Sequence, residues 1–279
     1  MIRSGVIGFP VKHSRSPLIH GYWLKRHGID GSYDKIEVAP DGLKAFLAGM
    51  REASFAGCNV TLPHKERAAS LIPNLDERAR RIGSVNTVYF SRGELSATSS
   101  DGYGFVQNLR WRNPSLDLKG RRVVMLGAGG SARAIVDELL QEGVAQVTVA
   151  NRTVARAAEL AESFGSRMAA AALHEADDHL RDCGLLINTT SAGIADTAKL
   201  TVAFDMLPRG ALVTDISYVP LLTPFLADAQ RAGCLTTDGL GMLLHQAVPG
   251  FELWFGIRPE VTDELYDIVA GDIAPGTGS

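Results

Sequence analysis

Two short segments carry side chains whose types and spacing could do chemistry: Lys12-His13-Ser14-Arg15-Ser16-Pro17 and Asn59-Val60-Thr61-Leu62-Pro63-His64-Lys65. The first sets two hydroxyls, Ser14 and Ser16, at the start of a helix. The second brings an amide, a hydroxyl and an ammonium together at the end of a strand. Such donors suit a small polyhydroxylated carboxylic acid, because neutral hydroxyls hold a carboxylate without the unselective attraction of an arginine clamp. Ser16 is equally suited to cap a helix ahead of Pro17, with Ser14 in a turn, so the sequence leaves both uses open.

Lys65 follows a strand end at a βα loop, where α/β proteins place their sites. Asp101 starts a helix further on. A lysine beside an aspartate can orient and protonate a developing alkoxide while the carboxylate fixes the ammonium. A neighbouring carboxylate favours the ammonium form, which casts Lys65 as an acid for ketone reduction. Plain alternatives remain at this point, a surface lysine and a helix-capping aspartate.

A separate loop, Gly127-Ala128-Gly129-Gly130-Ser131-Ala132, fits G-x-G-x-x-G/A between an apolar strand and a helix. Glycines there let the backbone approach a pyrophosphate, whose charge the helix N-terminus stabilises. An NAD enzyme places a carboxylate at the end of the next strand, but this chain reads Asn151-Arg152-Thr153, with Arg156 one helical turn on. Arg152 offers a planar donor fork to a 2′-phosphate and Arg156 a second cation, so NADP is favoured over NAD. The other reading of these arginines is solvated surface charge.

These residues need scaffolding, and the chain can supply it. At 279 residues and 46% hydrophobic it is long enough for two domains. A net charge of −3 without a polybasic run excludes a nucleic-acid or anionic-membrane footprint. The three cysteines, Cys58, Cys183 and Cys234, have no metal-ligand spacing and suit a reducing compartment. Met1-Ile2-Arg3-Ser4 leads straight into a strand, and no window reaches a membrane span, so a soluble cytoplasmic protein is expected. A homodimer is left open.

Strands are expected at 5–8, 32–38 and 55–61, with helices from Ser16 to Gly28, at 43–50 and beyond Pro63, giving parallel βαβ winding. Residues 84–90 and 94–98 read as a hairpin around Ser91-Arg92-Gly93, and Asn113-Pro114-Ser115 with Lys119-Gly120 as a linker, which sets a domain boundary near 110–119. Strands at 122–126, 146–149, 185–187 and 211–216, with helices at 131–141 and 154–164, predict a second, doubly wound sheet. The apolar segment 240–255 and a helix at 259–269 have no strand to accompany them and should pack back on the first domain. The tail Pro275-Gly276-Thr277-Gly278-Ser279 is expected to be disordered. The expected fold class is therefore α/β, with a substrate domain at 1–112, a Rossmann domain at 113–238 and returning helices at 239–279.

With these motifs in order, the chain resembles the shikimate dehydrogenase family. The resemblance also rests on Gly83-Ser84-Val85-Asn86-Thr87, Asn188-Thr189-Thr190-Ser191-Ala192-Gly193, Asp215-Ile216-Ser217-Tyr218 and Gly239-Leu240-Gly241-Met242-Leu243 with Gln246. It implies NADPH-dependent reduction of 3-dehydroshikimate to shikimate in aromatic amino-acid biosynthesis. It makes Lys65 and Asp101 the catalytic pair, and Ser14, Ser16 and Tyr218 the carboxylate donors. Thr61, Asn86 and Gln246 become ring contacts, and Asn59 supports them. Gly127, Ala128, Gly129, Gly130 and Ser131 go to the pyrophosphate; Asn151, Arg152, Thr153 and Arg156 to the adenosine phosphate; Ile216 and Gly239 to the nicotinamide. Glu77 matches a position near the cofactor. One departure is Ser99-Ser100 before Asp101, where the family usually has Asn-Thr; shorter side chains there are expected to loosen the support of the carboxylate. That departure keeps a quinate or aminoshikimate enzyme, or a weakly catalytic ligand sensor, as alternatives.

Overall fold

A computed structural model of the chain describes residues 1–190 and 200–273. The segment 191–199, which includes Ser191-Ala192-Gly193, and the tail from residue 274 lie outside the described residues. The chain divides into two compact units: Met1–Gly104 with Leu243–Gly271, and a second comprising Phe105–Met242.

The first unit runs β1 (Ile2–Gly8), α1 (Ser16–Arg26), β2 (Gly31–Glu37), α2 (Leu43–Gly49), β3 (Gly57–Val60), α3 (Lys65–Leu71), β4 (Asn74–Leu75), α4 (Glu77–Ile82), β5 (Thr87–Ser91) and β6 (Glu94–Thr98), and ends in the first turn of α5 (Asp101–Arg112). Its sheet has the order β2-β1-β3-β5-β6-β4. β1 is parallel to β2 and β3, whereas β5 pairs antiparallel with β3 and β6. The parallel winding expected from sequence thus holds for β2-β1-β3, while β5 runs against both its neighbours and the short β4 is again parallel to β6. The β5–β6 hairpin closes on Arg92 (φ 51) and Gly93 (φ 80), the two positive φ values that a tight turn matching strand twist requires. One face of the sheet packs Ile7, Cys58, Val60 and Val88 against Leu43, Leu47, Ala68 and Ile72.

The second unit contains β7 (Arg122–Leu126), α6 (Gly130–Gln141), β8 (Gln146–Asn151), α7 (Val154–Phe164), β9 (Met168–Ala172), β10 (Cys183–Asn188), β11 (Leu212–Asp215), α8 (Pro224–Arg231) and β12 (Leu235–Thr237). Its order is β12-β11-β10-β7-β8-β9, with every pairing parallel. This is the doubly wound arrangement, with the switch of direction between β7 and β10. Alternation along β7 explains why both faces are covered: Val123 and Met125 pack with Ile135 and Leu139, while Val124 and Leu126 pack with Phe225 and Leu226.

α9 (Leu240–Phe255) and α10 (Asp263–Ile273) complete the chain. They return to the first sheet as expected: Trp254 Nε1 donates to Val88 O (2.9 Å) and Trp23 Nε1 to Glu260 O (3.0 Å). Trp23 and Phe251 are fully buried there, each stabilising the fold by roughly 1.5–3 kcal/mol. α10 starts later than sequence suggested because the Thr262 hydroxyl accepts the Leu265 amide (3.2 Å) as its cap. Strands β4, β9 and β12 were not expected. β9 reads Met-Ala-Ala-Ala-Ala, a helix-favouring string that becomes a strand through pairing with β8.

Candidate active site

Parallel strands β1 and β3 end side by side, so the loops that follow them share one end of the sheet. Phe9 N donates to Leu62 O (3.0 Å), and Thr61 N to Ile7 O (2.9 Å). A Cβ on Gly8 would stand 2.5 Å from Thr61 Cγ2, so glycine permits this approach. The loop after β1 carries Ser14 and Ser16. Ser16 is the first residue of α1 and does not cap it; the helix instead offers the Ser16 amide to Ser14 Oγ (3.3 Å). The capping reading of Ser16 is therefore corrected: Ser16 already lies inside the helix as its first residue, and it is buried.

The loop after β3 is held by His64, buried beneath it, whose Nε2 lies 2.7 Å from Val38 O. A carbonyl can only accept, so the proton sits on Nε2. This anchors Lys65 as the first residue of α3. Its Nζ meets Asp101 Oδ2 at 2.5 Å, with side-chain exposures of 20% and 11%. Asp101 begins α5, and its other oxygen accepts from Asn86 Nδ2 (2.8 Å). Both carboxylate oxygens thus serve the pair rather than a helix cap.

Asn86 is the hub of this end. Its Nδ2 also reaches Ser100 Oγ (2.9 Å) and Gln246 Oε1 (3.2 Å), and its Oδ1 accepts from the Ser100 amide (2.8 Å). Ser100 Oγ donates in turn to Gln246 O (2.7 Å). The support of Asp101 is therefore not loosened by Ser99-Ser100: the short hydroxyl of Ser100 spans to α9, and both serines are buried. Asn59 is buried and fully engaged, accepting from Tyr33 (2.5 Å) and donating to Asn86 O (3.0 Å) and Thr87 Oγ1 (3.3 Å). Sequence reasoning gave Tyr33 and Thr87 no role: Tyr33 lies in no motif, and Thr87 only closes the Gly83-Ser84-Val85-Asn86-Thr87 segment. Glu77 is exposed at the start of α4.

In the second unit the glycine loop leaves β7 with Gly127 at φ 103, where a Cβ would lie 2.6 Å from Thr189 Oγ1. At Gly129 and Gly130 an added Cβ would meet nothing within 4 Å, so the loop is open on its outer side. α6 starts at Gly130 with no side-chain cap, which leaves the first-turn amides, Ser131 included, available to an anion. These features fit a dinucleotide pyrophosphate. At the end of β8, Asn151 Nδ2 holds Thr153 O (2.8 Å), while Arg152, Thr153 and Arg156 are exposed.

The end of β11 is tied by Asp215, a fully buried carboxylate. It accepts from Asn188 (3.0 Å), Thr223 (2.8 Å) and the Ser217 amide (2.9 Å). Burial raises its pKa above the usual range, and the three donors partly oppose that. The knot fixes Ile216 and the half-buried Tyr218 that follows. Gly239 belongs to it, since a Cβ there would stand 2.4 Å from Ile216 O.

A parallel doubly wound sheet with a glycine cradle, carried on the same chain as an α/β unit bearing an ammonium–carboxylate pair, defines a nicotinamide-dinucleotide-dependent oxidoreductase. Residues 6–88 match the shikimate dehydrogenase substrate binding domain, 111–238 the shikimate / quinate 5-dehydrogenase family, and 239–263 the shikimate 5′-dehydrogenase C-terminal domain. The chain belongs to the shikimate dehydrogenase family. A shikimate dehydrogenase (NADP(+)) from Brucella abortus (strain S19) is 50% identical over 272 residues, covering 96% of this chain and 94% of the relative. The structure of shikimate 5-dehydrogenase from Thermus thermophilus in complex with NADP(H) and shikimate is similar with a TM-score of 0.85 and 36% identity, over 98% of this chain and 100% of that one. Quinate dehydrogenase from Corynebacterium glutamicum in complex with NAD is similar with a TM-score of 0.87 and 28% identity, over 96% and 99%.

Proposed function

We infer that the chain catalyses the reversible, NADPH-dependent reduction of 3-dehydroshikimate to shikimate, a step of aromatic amino-acid biosynthesis. The observation that carries the chemistry is the Lys65–Asp101 contact at 2.5 Å, built into the unit that matches the family's substrate domain. Bound NADPH supplies the hydride. As the ketone carbon accepts it, the oxygen becomes an alkoxide, and Lys65 Nζ gives that oxygen its proton. Asp101 Oδ2 holds the ammonium in place, and Asn86 holds Asp101. The reverse reaction runs the same proton back to Lys65.

Ser14 and Ser16, with Tyr218, bind the carboxylate; Thr61, Asn86 and Gln246 bind ring hydroxyls. Asn59 acts one layer back, buried beneath Asn86, whose backbone carbonyl accepts its amide proton. Gly127, Ala128, Gly129, Gly130 and Ser131 bind the pyrophosphate. Asn151, Arg152, Thr153 and Arg156 bind the adenosine phosphate end, where the lack of any carboxylate favours NADP. Ile216 and Gly239 border the nicotinamide. Three free cysteines accord with a cytoplasmic location, and among the described residues no helix is long and apolar enough to cross a membrane. A second copy of the chain is a further candidate partner, to be read from sedimentation.

The test is steady-state turnover of shikimate, quinate and aminoshikimate with NADP and with NAD. Shikimate with NADP should give the highest kcat/KM. Dominant quinate turnover or a preference for NAD overturns the assignment, and tight shikimate binding without hydride transfer would make the chain a sensor.

A further inference from the structure

Behind the Lys65–Asp101 pair runs a buried line of polar groups whose side-chain amides have a fixed orientation. Two backbone groups set it. Asn86 O can only accept, so Asn59 must turn its Nδ2 toward it (3.0 Å), which leaves Asn59 Oδ1 facing the Tyr33 hydroxyl (2.5 Å). The second proton of Asn59 Nδ2 reaches Thr87 Oγ1 (3.3 Å), and the Thr87 hydroxyl has two acceptors, Ser100 Oγ at 3.4 Å and, nearer, Asn86 Oδ1 at 2.9 Å. The Ser100 amide donates to the same oxygen (2.8 Å), and Asn86 Nδ2 is thereby turned toward Asp101 Oδ1 (2.8 Å).

The line is also shielded. Tyr33 is buried, and the His20 ring stacks on it with centroids 3.8 Å apart and planes 3° from parallel. Trp23, Phe251 and Trp254 pack around His20 in turn. Neither His20 ring nitrogen makes a full hydrogen bond, although the Asn59 side chain is near enough to act on the imidazole. In such surroundings an amide left without its partner has nowhere else to turn, and a flip of Asn86 would set an oxygen against the Asp101 carboxylate.

We propose that Tyr33, Asn59 and Thr87 are positioning residues for the reaction: their hydrogen bonds fix the Asn86 amide so that it holds Asp101 against Lys65. This rests on the shikimate reduction assigned above and adds residues that never touch substrate. Thr87→Val keeps the shape and removes the relay hydroxyl; Thr87→Ser restores it; Tyr33→Phe keeps the stack on His20 and removes the far donor.

For Thr87→Val we expect kcat/KM for shikimate to fall about tenfold or more, with the KM for NADP unchanged, and Thr87→Ser to recover most of the loss. Tyr33→Phe should show a smaller loss in the same parameter. A structural role alone would lower the melting temperature and the active fraction without touching the KM for shikimate, and Ser would rescue no better than Val; that pattern overturns the proposal. Crystals of Thr87→Val give a readout independent of substrate. Departure of the Asn86 amide from Asp101 supports the relay, and an unchanged Asn86–Asp101 contact refutes it. Wild-type protein inactive on shikimate and NADP would instead refute the assigned reaction, leaving the crystal comparison to judge the relay.

Discussion

Lys65→Ala separates proton transfer from every other contribution to turnover. The ammonium lies 2.5 Å from Asp101 Oδ2 and only 20% of its side chain is exposed, so bulk water is a poor substitute for Lys65 in either direction of the proton transfer. A positioned general acid contributes about 10²–10⁴-fold, or roughly 3–5.5 kcal/mol of barrier, and kcat for shikimate oxidation should fall by that factor. Ground-state binding loses one charge-assisted contact to a ring oxygen, so the KM for shikimate should rise by about tenfold at most. The KM for NADP should not change, because Lys65 acts on the proton of the substrate oxygen and not on the dinucleotide. Folding should survive, since Asp101 keeps Asn86 and its partial exposure. The assay is initial-rate NADPH formation over a grid of both substrates, with Lys65→Met as a variant that keeps the hydrocarbon stem. A loss in kcat under about tenfold, or equal losses in kcat and NADP affinity, would refute the role of Lys65 as proton donor.

Arg152→Ala should raise the KM for NADP by about 10–100-fold, the worth of a charge-assisted phosphate contact, while the KM for NAD stays put; unchanged selectivity removes the 2′-phosphate reading. Gly57→Ala should cost about 3 kcal/mol or more in urea unfolding, because its Cβ would lie 2.0 Å from Trp254 Nε1 and 2.2 Å from Val88 O, and neither side can yield without breaking their bond. An unaltered urea midpoint contradicts that packing. Burial drives the His20 pKa from 6.5 down to about 3, so only the unfolded chain takes up this proton as pH drops below 6.5. The stability from neutral His20 is therefore complete above that pH and is lost toward pH 3 at about 1.4 kcal/mol per pH unit. His20→Phe should show a shallower acid dependence in denaturant melts, and identical slopes would place His20 in contact with water.

Much of the candidate site was legible because its signals are local. The Ser14–Ser16 pair, the Thr61–Lys65 segment, the glycine loop and Arg152 each lie beside a strand end that hydrophobic runs and turn residues mark without reference to the rest of the chain. What failed was also local in form. Ser16 before Pro17 carries a capping signature, yet the hydroxyl that receives the helix amide belongs to Ser14, because Ser16 is already the first residue of the helix. Ser99-Ser100 suggested slack, yet a hydroxyl of that length is what reaches Gln246 O.

By itself, the sequence determined the two α/β units, the residue types fit for carboxylate, proton and phosphate chemistry, and the lack of a carboxylate after β8 that favours NADP. The tertiary structure alone decided which of those residues meet. Asn86 and Gln246 are 160 positions apart and touch only because α9 packs back on the first sheet. Tyr33 and Thr87 enter the site through hydrogen bonds alone. The physical reason is range: helix and strand periodicity is written over a few neighbouring residues, whereas a hydrogen bond needs two atoms about 3 Å apart and correctly aimed, which only the packing of distant elements provides.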